Sequence, residues 1–250
     1  MRMGSKRLPN KALRKIAGKT VAERIIERLQ RAKGIDEIVL ATTDQSKDDV
    51  LTKIAKKSGI QYFRGSEDDV LGRLYGAARA FNADAVLRIT GDSPLADPCV
   101  IDAAIQEYRK RYPKIRFLSA ALPFTLPEGF SMEIISQDIL KAADAVLKKM
   151  SDRETFVIYL TKHRNKFPRF NFTYWKDASN FRLTLDYPED MKVIRKIYSH
   201  FFKVGKKDFT LDDIVEYLDA HQAIAAINQF RMDKEKYPFS LSRAAVLKAL

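Results

Sequence analysis

Along the first 111 residues the apolar positions follow two alternating periods. Thr20-Val-Ala-Glu23 is a capping box, and Ile25, Ile26 and Leu29 continue at helical spacing to a stop at Gly34. Residues 35–42 form a short apolar run that predicts a buried strand. Ser46 with Asp49 opens a second helix ending near Ser58-Gly59, and residues 60–63 predict the next strand. Ser66-Glu-Asp-Asp69 opens a third helix through Val70, Leu71, Leu74, Tyr75 and Ala78. Residues 85–90 predict a strand running directly into Gly91-Asp-Ser-Pro-Leu95, and Asp97-Pro98 caps a fourth helix, since Pro suits the first helical turn. Strict helix–strand alternation implies an α/β fold with a parallel sheet covered by helices. Phosphate-bearing ligands of such sheets bind beyond the carboxyl ends of the strands.

After residue 111 the rhythm changes. Residues 115–121 and 131–135 predict strands around a Pro/Gly-rich turn, followed by helices near 136–150 and 152–165. Residues 170–175 and 182–185 predict further strands, and helices near 188–202, 211–221 and 240–250 complete the chain. There is no repeat, low-complexity tract or clear linker, so residues 1–205 are taken as one domain and 206–250 as its helical C-terminal extension.

Composition narrows the class. The 250 residues are 46% hydrophobic and 31% charged, as in an ordinary globular protein. No apolar run approaches the roughly 20 residues of a transmembrane helix, and residues 1–19 lack the apolar segment of a signal peptide. Cys99 is alone, which excludes an intrachain disulfide and fits a cytoplasmic setting. His163, His200 and His221 are too scattered to suggest a metal cluster. A net charge of +13 raises the question of nucleic acid, but residues 1–34 alone carry +9. So local an excess suits an anion site better than a surface spread along a duplex.

Four segments can carry chemistry. In Arg2-Met-Gly-Ser-Lys-Arg-Leu-Pro-Asn-Lys11, Gly4 and Ser5 can form a tight loop that turns backbone N–H groups to an anion, with Arg2, Arg7 and Lys11 supplying charge. A mixture of planar Arg forks and a Lys point charge suits a polyphosphate, although a solvated basic stretch explains the composition equally well. In Thr90-Gly-Asp-Ser-Pro-Leu95, Asp92 is a hard oxygen ligand of the kind Mg²⁺ prefers, while the same residues are also good turn chemistry. In Leu185-Asp-Tyr-Pro-Glu-Asp190, Asp186 is a second candidate ligand, and Glu189 and Asp190 suit the positive end of a helix. Glu133, after the turn at Pro127-Glu-Gly-Phe, faces either a substrate hydroxyl or solvent.

Taken in order, these blocks resemble the CMP-sugar synthetase superfamily, and most closely its spore-coat polysaccharide biosynthesis protein F branch, related to CMP-KDO synthetase and acylneuraminate cytidylyltransferase. The resemblance also takes in residues 36–42, 63–71, 88–95 and 183–190, and so spans about residues 2–200. It implies a GT-A-like (nucleotide-diphospho-sugar transferase) three-layer α/β sandwich with a mostly parallel sheet. It also implies transfer of CMP from CTP to a sugar hydroxyl with release of pyrophosphate. By the same resemblance, Arg2, Gly4, Ser5, Arg7 and Lys11 would hold the triphosphate, with Arg64 and Arg73 beside the nucleotide. Asp92 and Asp186 would bind Mg²⁺, Glu133 would face the sugar, and Lys11, Asp92 and Arg7 would be catalytic. A homodimer is implied as well, with no nucleic-acid partner and no membrane insertion.

The sequence departs from the family pattern in three places. A hydrophobic strand normally precedes the Arg-x-Gly-Ser loop, whereas the sequence here opens at Met1-Arg2. The expectation is therefore a sheet without its usual first strand, and a truncated inactive homologue is an open alternative. Arg153-Glu154-Thr155 stands where the family often has Arg-Glu-His, and Asn10 and Gly72 replace the usual Gly and Asp. A glycosyltransferase using a nucleotide-sugar donor is the other alternative, against which the basic loop favours a triphosphate.

Overall fold

The computed structural model describes residues 1–120 and 124–232. The chain begins with the basic loop and a 3₁₀ turn, Lys11–Leu13, then the short antiparallel pair β1 (Lys15–Ile16) and β2 (Lys19–Thr20). Helix α1 (Val21–Leu29) starts at the expected capping box: Glu23 N–H donates to Thr20 Oγ1 at 3.2 Å, and Thr20 N–H to Glu23 Oε2 at 2.8 Å. Strand β3 (Val39–Thr43), helix α2 (Asp49–Lys57), strand β4 (Gln61–Gly65), helix α3 (Val70–Ala80), strand β5 (Ala85–Arg88) and helix α4 (Pro98–Arg111) follow in the order the periodicity predicts. Asp69 and Asp97 cap α3 and α4 by accepting from Gly72 N–H and from Cys99 and Val100 N–H.

The second half holds β6 (Phe117–Ser119), β7 (Glu133–Ser136), α5 (Gln137–Val146), α6 (Met150–Glu154), α7 (Phe156–Lys162), β8 (Arg169–Asn171), α8 (Pro188–Lys203), α9 (Leu211–Ala220) and α10 (Gln222–Gln229). Helix α10 and the β1–β2 pair have no counterpart in the sequence expectation, and the helix expected at 240–250 lies outside the described residues. Residues 182–185 are not a strand. They run extended beside the 127–129 turn, with one bridge between Glu128 and Arg182 and a bond from Leu183 N–H to Glu128 O at 2.7 Å. Gly129 makes this approach possible: its φ is +103°, and a Cβ there would collide with the backbone of Thr184.

The expected mostly parallel sheet is corrected. Strands β3 and β4 pair in parallel, but the larger sheet has the order β5-β7-β6-β8, with β7 antiparallel to both neighbours and β8 parallel to β6. The α4 crossover from β5 to β6 leaves space for one strand, and β7 fills it from the opposite direction. Alternation along these strands builds both faces. Leu118, Ile134, Leu87 and Phe170 join the main cluster with α1, α4, α8 and α9. Phe117, Ile135 and Val86 face α3, α5 and α7. A third cluster joins α1, α2, β3 and β4.

The β3–β4 sheet and the four-stranded sheet share no backbone ladder among the described residues. Met1 lies between them, its amine donating to Ala41 O at 2.7 Å and its side chain packing against two of the three clusters. No helix among the described residues is long and apolar enough to cross a membrane.

Candidate active site

The basic loop is tied down at several points. Leu8 N–H donates to Ser5 Oγ at 3.3 Å, Ser5 N–H to Met3 O at 2.9 Å, and Met3 N–H to the buried carboxylate of Asp48 at 2.7 Å. Asp48 also accepts from Thr43 Oγ1 at the end of β3. The loop is thus anchored to the carboxyl edge of the β3–β4 sheet. Arg2 reaches sideways to Glu67 O and Glu154 Oε1, both at 3.3 Å.

From this loop Arg7 and Lys11 converge on the carboxylates that end the two central segments. Lys11 Nζ lies 3.1 Å from Asp186 Oδ1 and 3.7 Å from Asp92 Oδ2, and donates to Leu185 O at 3.0 Å. Arg7 pairs with Asp186 at 2.9 Å while its guanidinium lies over the Tyr187 ring. Leu185 N–H donates to Asp92 O at 2.8 Å, which ties the two carboxylate-bearing segments together through their backbones. Thr90 Oγ1 donates to Asp92 Oδ1 and adjoins Ser93 Oγ. Burial alone would raise the Asp186 pKa, but Lys11 and Arg7 outweigh it and hold the carboxyl below its ordinary value. The same contact, opposed by partial burial, raises Arg7.

The other expected residues surround this cluster at varying remove. Arg73 is buried on α3 and donates to Ser66 O and Glu67 O; burial lowers its pKa, and the nearby Arg2 adds to that. Gly4 faces Glu67, whose Oε1 would stand 2.9 Å from a Cβ there. Arg64 is not brought into the cluster: it donates to Thr43 O and Gln45 O and pairs with Asp49 at 2.7 Å. Glu133 is buried on β7 and accepts from Arg88 of β5 at 2.7 Å, with Ser119 and Asn171 in register on the same face of the sheet. Thus the strands end in a polar row, Arg88, Glu133, Ser119 and Asn171, where the preceding row is Val86, Ile135, Phe117 and Arg169.

Three residues that shape the surroundings of this cluster are not legible in the sequence. Asp48 was hidden behind the cap expected at Ser46 and Asp49. Asp190 complements the start of α8, as its place in the sequence implies, and it is also paired with Arg182. Arg153, singled out as a departure, is buried and pairs with Asp69 and Asp144 at 2.7 and 2.6 Å, so it locks α6 onto the α3 cap while its neighbour Glu154 holds Arg2. Gly72 also gains a reason: a side chain there would strike the capping carboxylate of Asp69.

Among the described residues no group of three or more His, Cys, Asp or Glu side chains converges. Two carboxylates around one ammonium nevertheless match the needs of Mg²⁺, which takes one or two carboxylates, keeps waters and shares substrate phosphates. The Lys11 ammonium is itself a cation standing between Asp92 and Asp186, so the donor set already accommodates positive charge.

The family model described as Cytidylyltransferase matches residues 1–200. The chain belongs to this family. Like other cytidylyltransferases it is a nucleotidyltransferase, and its chemistry is CTP-dependent cytidylyl transfer. It is 32% identical to an uncharacterized protein of Methanocaldococcus jannaschii over 91% of each chain. It is 28% identical to the spore coat polysaccharide biosynthesis protein SpsF of Bacillus subtilis, over 87% of this chain and 91% of that one. The structure of a cytidylyltransferase from Leptospira borgpetersenii superposes with a TM-score of 0.85 at 32% identity, over 90% of this chain and 93% of that one. The α/β architecture is therefore that of known cytidylyltransferases, and the resemblance drawn from the motifs holds.

Proposed function

We propose that this cytidylyltransferase transfers CMP from CTP to a sugar hydroxyl and releases pyrophosphate, in the synthesis of surface-polysaccharide precursors. The observation that carries this reading is the convergence of Arg7 and Lys11 with Asp92 and Asp186 at the mouth of the α/β sheet. The likeness to SpsF, named for polysaccharide biosynthesis, supports a sugar acceptor. In the transfer, a bond forms between the acceptor oxygen and the α-phosphorus. The bond from the α-phosphorus to the bridging oxygen breaks, pyrophosphate leaves with the electron pair, and the hydroxyl proton passes to solvent. Such displacement needs charge neutralisation and in-line alignment more than a strong protein base.

Arg7 and Lys11 would leave Asp186 for the phosphates, trading one anionic partner for another. Arg2, Gly4 and Ser5 shape the loop that carries them, and Arg73 holds the neighbouring Ser66–Glu67 backbone. Asp92 and Asp186, freed of Lys11, would hold a divalent cation, which supplies charge neutralisation at the phosphates. Glu133 and Arg88 offer hydrogen bonds to the acceptor from the polar row at the strand ends. Helices packed on both faces of the four-stranded sheet support reading the architecture as a GT-A-like three-layer sandwich. We read the protein as cytoplasmic and homodimeric on the family resemblance.

Addition of CTP with Mg²⁺ is expected to raise the melting temperature, and Asp92→Ala to abolish pyrophosphate release while the protein remains folded. Absence of any CTP-dependent shift, together with no turnover on any sugar, would refute the reading. Slow hydrolysis of a UDP- or GDP-sugar without use of CTP would favour a glycosyltransferase instead.

A further inference from the structure

Helix α10 lies outside every motif, yet it ends against the back of the segment that carries Asp186. Asn228 is 1% exposed, and its amide nitrogen donates to Asp190 Oδ1 at 2.9 Å and to Arg182 O at 3.0 Å. Two acceptors on one side fix which end of the amide is the NH₂ group. Asp190, with no exposed surface, is the hub of the arrangement. Arg182 grips it in a two-pronged pair, Nε at 2.8 Å and an NH₂ at 3.0 Å. The far oxygen of Asp190 accepts from the backbone N–H groups of Asp186 and Tyr187, both at 2.8 Å. The Arg182 guanidinium also pairs with Glu128 at 2.5 Å. Two residues past α10, Arg231 lies over the Tyr187 ring, 4.3 Å from its centroid, and pairs with Glu189 at 3.2 Å.

The C-terminal region therefore touches this segment twice, through Asn228 of α10 at Arg182 O and Asp190, and through Arg231 at the Tyr187 ring, which also carries Arg7. Asp186 is held by Asp190 through its peptide N–H on one side, and by Lys11 and Arg7 through its carboxylate on the other. If Lys11 and Arg7 turn to a triphosphate, the Asp190 bonds to the Asp186 and Tyr187 N–H groups, with the Leu185–Asp92 backbone bond, remain to fix where Asp186 points. A fully buried carboxylate with this many donors has no freedom to follow the change, and that makes it a rigid mount.

We infer that Asn228 is a positioning residue for cytidylyl transfer: through Asp190 it fixes the Asp186–Tyr187 backbone, so that the C-terminal helix α10 sets the aim of the Asp186 carboxylate. The inference rests on the assignment of Asp186 to the catalytic centre proposed above.

The test compares wild type, Asn228→Ala, Asn228→Asp and Ile227→Ala in the full chain. Ile227 lies on the same helix and packs against the main cluster, and its apolar side chain has no hydrogen bond to give Asp190, so its variant reports a merely structural loss. Hydrogen exchange at the Asp186 and Tyr187 amides needs no ligand and is the first measurement. It is expected to speed up at least tenfold in Asn228→Ala and further in Asn228→Asp, where an oxygen faces the Asp190 carboxylate. It should stay within twofold of wild type in Ile227→Ala.

The second measurement is the dissociation constant of Mn²⁺ in the presence of CTP, read by electron paramagnetic resonance, alongside kcat. Asn228→Ala should weaken Mn²⁺ at least fivefold and lower kcat at least tenfold, while metal-free CTP binding stays within twofold. Wild-type exchange at both amides in Asn228→Ala, or the same changes in Ile227→Ala, overturns the inference. If wild type binds neither CTP nor Mn²⁺, the proposed function fails instead, and the exchange measurement still decides the role of Asn228.

Discussion

Lys11→Met should make the nucleotide-free protein bind a divalent cation more tightly, even though it deletes a residue assigned to substrate binding. In the structure the Lys11 ammonium occupies the space between Asp92 and Asp186, with a third contact to Leu185 O, and its side chain is only 15% exposed. Two unit charges about 4 Å apart attract by about 4 kcal/mol at an effective dielectric of about 20. Most of this is offset when the ammonium is hydrated again, and a hydrogen bond to a charged group nets about 1.5–3 kcal/mol. A cation entering the site without nucleotide must displace Lys11 and bear that cost, because no phosphate is present to receive it. Methionine fills a similar volume and cannot compete. At about 1.4 kcal/mol per factor of ten, the dissociation constant of Mn²⁺ in the absence of CTP should fall by about tenfold or more in Lys11→Met.

The same variant should bind CTP more weakly, and Lys11→Arg should restore wild-type metal behaviour. Free Mn²⁺, counted from its electron paramagnetic resonance signal during titration, gives the constants directly. Unchanged or weaker Mn²⁺ binding in nucleotide-free Lys11→Met would refute the exchange of partners between carboxylates and phosphates.

Two further outcomes follow from the fold. The Lys57 ammonium, then the Thr20 N–H, hold the Glu23 carboxyl at about 2, below its ordinary 4.5. Its folded pKa is thus depressed, so its contribution to α1 is complete above about 4.5 and is lost as pH falls toward about 2. A carbon-detected NMR titration should show this value, and Lys57→Ala should move it upward. Phe117 has no exposed surface and packs with Leu71, Ile135 and Phe156 between the sheet and α3, α5 and α7. Phe117→Ala should therefore cost about 3–5 kcal/mol in urea unfolding, and a loss below 1 kcal/mol would contradict this packing.

Local signals in the sequence determined a great deal. The Thr20–Glu23 box, the Ser66–Asp69 start, the cap at Asp97 and the apolar periods located the elements of the first 111 residues, because capping and periodicity depend only on neighbours in the chain. The basic loop and the carboxylates Asp92 and Asp186 could be nominated in the same way, since each lies where a strand or extended segment gives way to a turn. Tertiary structure alone decided which strands are neighbours. Periodicity is blind to strand order, so β7 between β5 and β6 and the ribbon at 182–185 were not foreseen. It also decided which polar residues meet. Asn228 and Asp190 are 38 positions apart, and Lys11 and Asp186 are 175 apart. No spacing rule spans such distances. A buried carboxylate at a helix start and a solvated one also read alike until burial distinguishes them, which is why the sequence shows Asp190 only as a cap of α8, while the structure adds its pairing with Arg182 and Asn228.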